Sequence, residues 1–302
     1  MVNRIIYYYQ TFCGLKQVLD NSSVVTHIHV SSVHFGLNGA EPYIHLNDND
    51  PNNHIFNQLW NELNKAKQLG ITVMLMIGGA GGAYTELFKN YNTYYNLLKN
   101  IIVRYNCIAG VDIDVEEYVE ISDIQKFIRN LKKDFGKDFL ISMAPLASTL
   151  AYNTIGMGGF KYNELLDTPE GKQIDYLNCQ FYGNFDFYTY KKIIENGYKP
   201  EQIVMGMISN DFLNDFSKAL EIIKNVKLIY QNFGGVYVWE YNDAPPEIYR
   251  HIAWAIEISY ILKGGVLVTI DKTNEKKKFS LYTYYKSWFY SLYYRFMYMV
   301  WL

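Results

Sequence analysis

The sequence is short of several things, and each shortage excludes something. Cysteine is scarce and odd in number: Cys13, Cys107 and Cys179 are the only three in 302 residues, each near an apolar stretch. That pattern suits small buried hydrophobes rather than a disulfide framework, and it implies no oxidising compartment. Charge of one sign is missing too, the formal net charge being -2. No basic stripe interleaved with aromatics occurs before residue 262, so nucleic acid is not an expected partner. The opening stretch, MVNRIIYYYQTF, has no apolar h-region and no small-residue cleavage site, and no standard secretion signal is expected. No G-x-G-x-x-G follows the first apolar run, which argues against a dinucleotide-binding sheet, and GGAGG at 78–82 is not followed by the Lys-Ser or Lys-Thr of a phosphate loop. There is no internal repeat.

What the chain does have is apolar content, 49% of its residues, enough to bury a large core. Short runs rich in branched and aromatic residues alternate with segments of helical period. Runs at 4–9, 27–35, 73–77, 110–115, 139–144, 176–181, 203–207 and 235–239 predict strands, and segments at 55–69, 84–105, 122–133, 213–230 and 248–262 predict helices. The alternation predicts an α/β protein, a (β/α)8 TIM barrel over 1–262 with its functional groups at the C-terminal ends of the strands. Residues 263–302 differ, carrying seven Lys or Arg against Asp271 and Glu275, with twelve aromatics from Phe279 onward. Lys286 and Arg295 interrupt that run, so it is a poor spanning helix. A basic aromatic extension of this kind suits contact through 279–302 with a membrane surface or a protein partner.

The stretch GVDIDVEE, 110–117, places Asp112, Asp114 and Glu116 at every second position and fills the gaps with Val111, Ile113 and Val115. Side chains alternate across a strand, so the three acids share one face and the branched residues the other. In a barrel the branched face packs under the helices and the acids point into the interior near its functional end. Clustered carboxylates do not all ionise at neutral pH, and the most desolvated keeps its proton. A protonated carboxyl in a cleft is a general acid, and glycoside hydrolysis is the chemistry most often run this way without a metal.

The acid stretch stands as D-x-D-x-E, and in this the chain closely resembles glycoside hydrolase family 18, the chitinases and endo-β-N-acetylglucosaminidases with (β/α)8 barrels. MIGGAGG at 76–82, ISMAPL at 141–146, QFYGN at 180–184 and GGVYVWEYND at 234–243 are similar to further family segments and follow in the family's order. The resemblance implies a chitin or N-acetylglucosamine-containing oligosaccharide as substrate, with no cofactor and no metal. It makes Glu116 the acid, Asp114 the holder of the substrate's 2-acetamido group, Tyr182 a second partner of that group and Asp112 the residue that shares charge with Asp114. Trp239 becomes the floor under the reacting sugar, with Gln180, Met143, Tyr9, Phe35 and Gly79 as the rest of the lining. It also implies non-proline cis bonds at His34–Phe35 and Trp239–Glu240.

Two departures stand out: Ala109-Gly110 replaces the family's Asp-Gly, and Met76 replaces a serine that donates to the aspartate matching Asp112. Tyr7 or Tyr9 is expected to reach Asp112 instead. The competing reading is a non-catalytic lectin of the same fold, a class that has lost the glutamate; Glu116 is present here. His27-Ile28-His29 has the spacing of a metal-binding pair, but it opens its strand, far from the predicted C-terminal end at Phe35, and reads as structural.

Overall fold

The computed structural model describes residues 3–247 and 249–264. Expectations for the tail lie, from residue 265 on, outside the described residues. Among the described residues the strands are β1 (Arg4–Tyr9), β2 (His27–Asn38), β3 (Glu41–Leu46), β4 (Thr72–Gly78), β5 (Ile108–Asp114), β6 (Leu140–Met143), β7 (Tyr176–Gln180), β8 (Ile203–Ile208) and β9 (Gly235–Trp239). All except β3 pair in parallel with their neighbours, and β1 pairs with both β9 and β2, which closes an eight-stranded barrel.

The helices cover the outer face because their apolar residues recur at helical spacing. Leu59, Trp60, Leu63 and Ala66 are buried along Asn57–Gln68, and Ile124, Phe127, Ile128 and Leu131 along Ile121–Phe135. Burying each of the larger side chains stabilises the fold by about 1.5–3 kcal/mol. Gly136, at φ 88°, stops the second of these helices.

Three expected helices differ in extent, the one predicted over 248–262 running Ile252–Leu262. The predicted helix over 84–105 is two, Tyr84–Lys89 and Tyr91–Arg104, separated where Asn90 leaves helical geometry at φ −136° and ψ 58°. The one predicted from 213 begins at Phe216, because the Asp215 carboxylate accepts from Lys218 N at 3.3 Å and sets the N-cap there.

β2 runs on past the barrel and turns through Gly39-Ala40 into β3, pairing antiparallel with Val33 opposite Leu46 and Phe35 opposite Ile44. The sequence reading missed this hairpin, although a glycine opening a two-residue loop, as Gly39 does, is a signal for one. The consequence is that His27–Val30 is the part of β2 inside the barrel wall, in register with Ile6–Tyr9 of β1.

Inside the barrel, Ile6, Tyr8, Met74, Met76, Tyr176, Val204 and Tyr237 form a buried cluster. The space for Tyr237 exists because its neighbour in register is Gly206, where a Cβ would fall 1.9 Å from Tyr237 Cζ. This plug forms a floor, and the acids of β5 stand on it.

Candidate active site

Asp112 sits on that floor with no solvent exposure. Four strands send it donors. Tyr8 Oη donates from β1 at 2.6 Å, Ser142 Oγ from β6 at 2.6 Å and Asn178 Nδ2 from β7 at 3.0 Å, while His29 Nδ1 of β2 lies 3.5 Å away. Burial works to raise the Asp112 pKa, but His29, Ser142 and Tyr8 outweigh it and hold the carboxyl below its usual range. Asp112 is therefore the fixed anion of the site.

The next acid on the same face behaves oppositely. Burial, then the charges of Glu116 and Asp112, push Asp114 well above the carboxylate range, against a single opposing hydrogen bond from Gln180. Burial also raises Glu116, again opposed by Gln180. Gln180 Nε2 lies 3.2 Å from Asp114 Oδ1, 3.1 Å from Glu116 Oε1 and 3.1 Å from the Ala144 carbonyl, so one amide tethers both carboxyls to the end of β6. Two neighbouring carboxyls so placed hold a proton more tightly than free carboxyls do.

The wall beside Asp114 has to be glycine. Gly78 and Gly79 have φ of 95° and 80°; a Cβ on Gly78 would meet the Asp114 carbonyl at 2.3 Å, and one on Gly79 would meet Met76 Cε at 2.7 Å and Asp114 Oδ2 at 3.3 Å. The fourth acid of the stretch, Glu117, plays a separate, structural part. It accepts from Ala83 N, Tyr84 N and Thr85 Oγ1, and so pins the loop after β4 against the loop after β5. At the mouth, Tyr182 and Trp239 are half-buried; Tyr237 Oη donates to Tyr182 Oη at 3.1 Å, and the Trp239 ring lies 5.4 Å from that of Tyr8.

Three expected lining residues are elsewhere. Tyr9 faces the outer layer, where its hydroxyl accepts from Gly14 N at 2.8 Å, and Tyr7 Oη donates outward to the His251 carbonyl at 2.7 Å. Tyr8, the residue between them, is the one that reaches Asp112. Phe35 lies in the hairpin beyond the barrel wall, its ring 5.5 Å from that of Tyr94 on the 91–104 helix. Met143 is in register with Ile113 and Leu177, on the face opposite Ser142.

The non-proline cis bonds are at Ser31–Ser32 and Trp239–Glu240, so the first is upstream of the expected His34–Phe35. After the second, buried Glu240 accepts from Gln10 N at 3.1 Å and Thr11 N at 3.3 Å, and burial raises its pKa. His29, expected far from the site, is at its floor, because the C-terminal part of its strand is hairpin rather than barrel. Among the described residues no cluster of His, Cys, Asp and Glu is arranged to hold a metal ion.

His29, Ser142 and Asn178 were missed by sequence reasoning, yet each carries a readable signal. Each is one polar residue between two apolar ones in a buried strand: Ile28-His29-Val30, Ile141-Ser142-Met143 and Leu177-Asn178-Cys179. Buried polar groups need partners, so isolated ones on neighbouring strands mark a shared network.

The interior acids thus divide into one carboxyl held low and one pair whose affinity for protons is raised. The chain matches the family model for glycosyl hydrolases family 18 over residues 4–279 and belongs to that family. It is similar to the structure of a fungal endo-beta-N-acetylglucosaminidase of the same family, at 31% identity and a TM-score of 0.78, over 88% of this chain and 100% of that one. It is also similar to the chitinase ChiC from Aspergillus fumigatus, at 30% identity and a TM-score of 0.75, over 82% and 94% of the two chains. A GH18 chitinase from Pseudoalteromonas aurantia, at 18% identity and a TM-score of 0.63 over 86% and 100%, shares the fold. No curated protein matches the chain.

Proposed function

We propose that this protein is a chitinase-like hydrolase that cleaves β-1,4 bonds of N-acetylglucosamine polymers or oligosaccharides with retention, using the substrate's own acetamide as nucleophile. The observation that carries the reading is the Gln180 amide shared by buried Asp114 and half-buried Glu116, two carboxyls whose affinity for protons is raised. Similarity to a fungal endo-beta-N-acetylglucosaminidase and to a chitinase supports the substrate class.

In this mechanism Glu116 gives its proton to the leaving oxygen as the glycosidic bond breaks. The acetamide carbonyl oxygen attacks the anomeric carbon and forms a cyclic oxazolinium. Asp114 accepts from the acetamide N–H and offsets the positive charge, with Asp112 fixed beneath it as a second negative charge. Tyr182 donates to the acetamide, and Trp239 packs under the sugar ring. Water, deprotonated by Glu116, then opens the oxazolinium from the opposite face.

The test is hydrolysis of soluble chitooligosaccharides by the purified chain, with cello-oligosaccharides as the control. The expected product is the β-anomer, from the acetamido substrate only. Comparable cleavage of both substrates would show that the acetamide is not the nucleophile. Glu116→Gln is expected to bind chitooligosaccharide normally; wild type and variant that bind alike and are equally inert would make the protein a lectin.

A further inference from the structure

His29 lies two strands away from Asp112 in the barrel wall, and no expectation of function placed it in the site. Its side chain and that of Asp112 are fully buried, with Nδ1 3.5 Å from Asp112 Oδ2. Its other nitrogen, Nε2, lies 3.1 Å from Tyr176 Oη, whose proton has Met74 Sδ as an acceptor at 2.9 Å. The Tyr176 hydroxyl has one hydrogen to give, and both Nε2 and the Met74 sulfur can accept it. On the Nδ1 side the Asp112 carboxylate only accepts, so Nδ1 carries a hydrogen. On β4, between β2 and β5, the residue in line with Asp112 is Met76 and the one in line with His29 is Met74, and neither side chain offers a donor.

Resting on the hydrolase reading above, we propose that His29 is the positioning residue that holds Asp112 in place as the anion beneath Asp114, supplying from β2 the hydrogen bond that Met76 of β4 cannot. The other titratable and charged groups around its ring are Tyr8 of β1, at a ring separation of 4.9 Å, Tyr176 of β7 and His27 of its own strand at 6.4 Å. Arg4 stacks over the far Tyr176 ring at 4.1 Å. Asp112 is the acceptor that Nδ1 faces, with Asn178 Nδ2 3.5 Å away.

The role predicts a displaced pH profile, which a merely structural side chain would not produce. In His29→Ala the Asp112 anion loses a partner, so it takes up a proton at higher pH and the acidic limb of kcat moves up in pH. kcat at the optimum is expected to fall about tenfold or more, as for other residues that act through a site residue, with KM within about twofold of wild type. His29→Gln keeps an N–H donor and is expected to return the limb most of the way. An unmoved limb in His29→Ala, or equal displacement in both variants, would overturn the proposal. A second arm uses the full chain labelled with nitrogen-15 in histidine: Asp112→Asn is expected to shift the His29 Nδ1 resonance, and an unchanged resonance also overturns it. That arm reads the pairing without turnover, so an inert wild type would remove the hydrolase reading while leaving the pairing decided on its own.

Discussion

Asp112 and Asp114 leave the same strand on the same face, both buried, yet one is held below the usual carboxylate range and the other is pushed above it. Burial acts on both in the same direction. What separates them is the number of hydrogens aimed at each: Asp112 has hydroxyl, amide and imidazole partners from four other strands, and Asp114 has one shared amide with a second carboxyl beside it. In a closed barrel the floor is where strands converge with side chains, and the mouth is where they stop. The same residue type therefore holds a proton weakly on the floor and more tightly two positions further along the strand.

The largest effects are expected at the mouth. Glu116→Gln should lower turnover by about 10²- to 10⁴-fold, measured by initial rates, because the transferable proton is gone. In the wild type the pair holds its proton more tightly than free carboxyls do, so activity should fall on the alkaline side, about tenfold per pH unit, once pH exceeds the pair's pKa. Gln180 opposes the rise on both carboxyls. Gln180→Leu should therefore carry the alkaline limb to higher pH, and a limb moving downward would break the contrast between mouth and floor.

Next comes the packing of the floor. Gly206→Ala places a methyl inside the Tyr237 ring, and the forced shift should cost about 3 kcal/mol of unfolding free energy, read by denaturant titration. Ser142→Ala removes one of the short bonds to Asp112 and should cost about 1–3 kcal/mol at neutral pH. The sign with pH is fixed. A carboxyl depressed in the folded state contributes stability above its unfolded pKa and loses it as pH falls through the folded one, so the cost should shrink below about pH 4. A cost that grows on acidification would mean that Asp112 is not the anion.

The smallest effect is expected outside the acid cluster proper. Glu117→Gln weakens the bonds to Ala83 N, Tyr84 N and Thr85 Oγ1 that tie two rim loops together. It should cost about 0.5–2 kcal/mol, as for a lost helix cap, with the alkaline limb unmoved.

Much of this architecture was legible in the chain. The eight parallel strands begin within a few residues of where the apolar runs place them, and the alternation in GVDIDVEE puts its acids inward because Val111, Ile113 and Val115 need the helices. Two of the misses share one cause. In Arg4–Tyr9 both faces are buried, so the period of two is present but its phase is not, and the choice of Tyr7 or Tyr9 over Tyr8 is wrong by one residue. Met143 fails in the same way beside Ser142, and Phe35 fails because a strand that outruns its barrel looks no different in sequence from one that ends with it.

By itself, then, the sequence determined the order of elements, the side of β5 on which the acids stand, and the glycines that let the backbone pass Asp114. Each of these depends on residues close together in the chain, through periodicity or local backbone freedom. Only the tertiary structure decided which acid is the anion. That depends on Tyr8, His29, Ser142 and Asn178 meeting one carboxylate from positions up to 104 residues away from it in the chain, and the register of a closing barrel brings such residues together without leaving any local pattern.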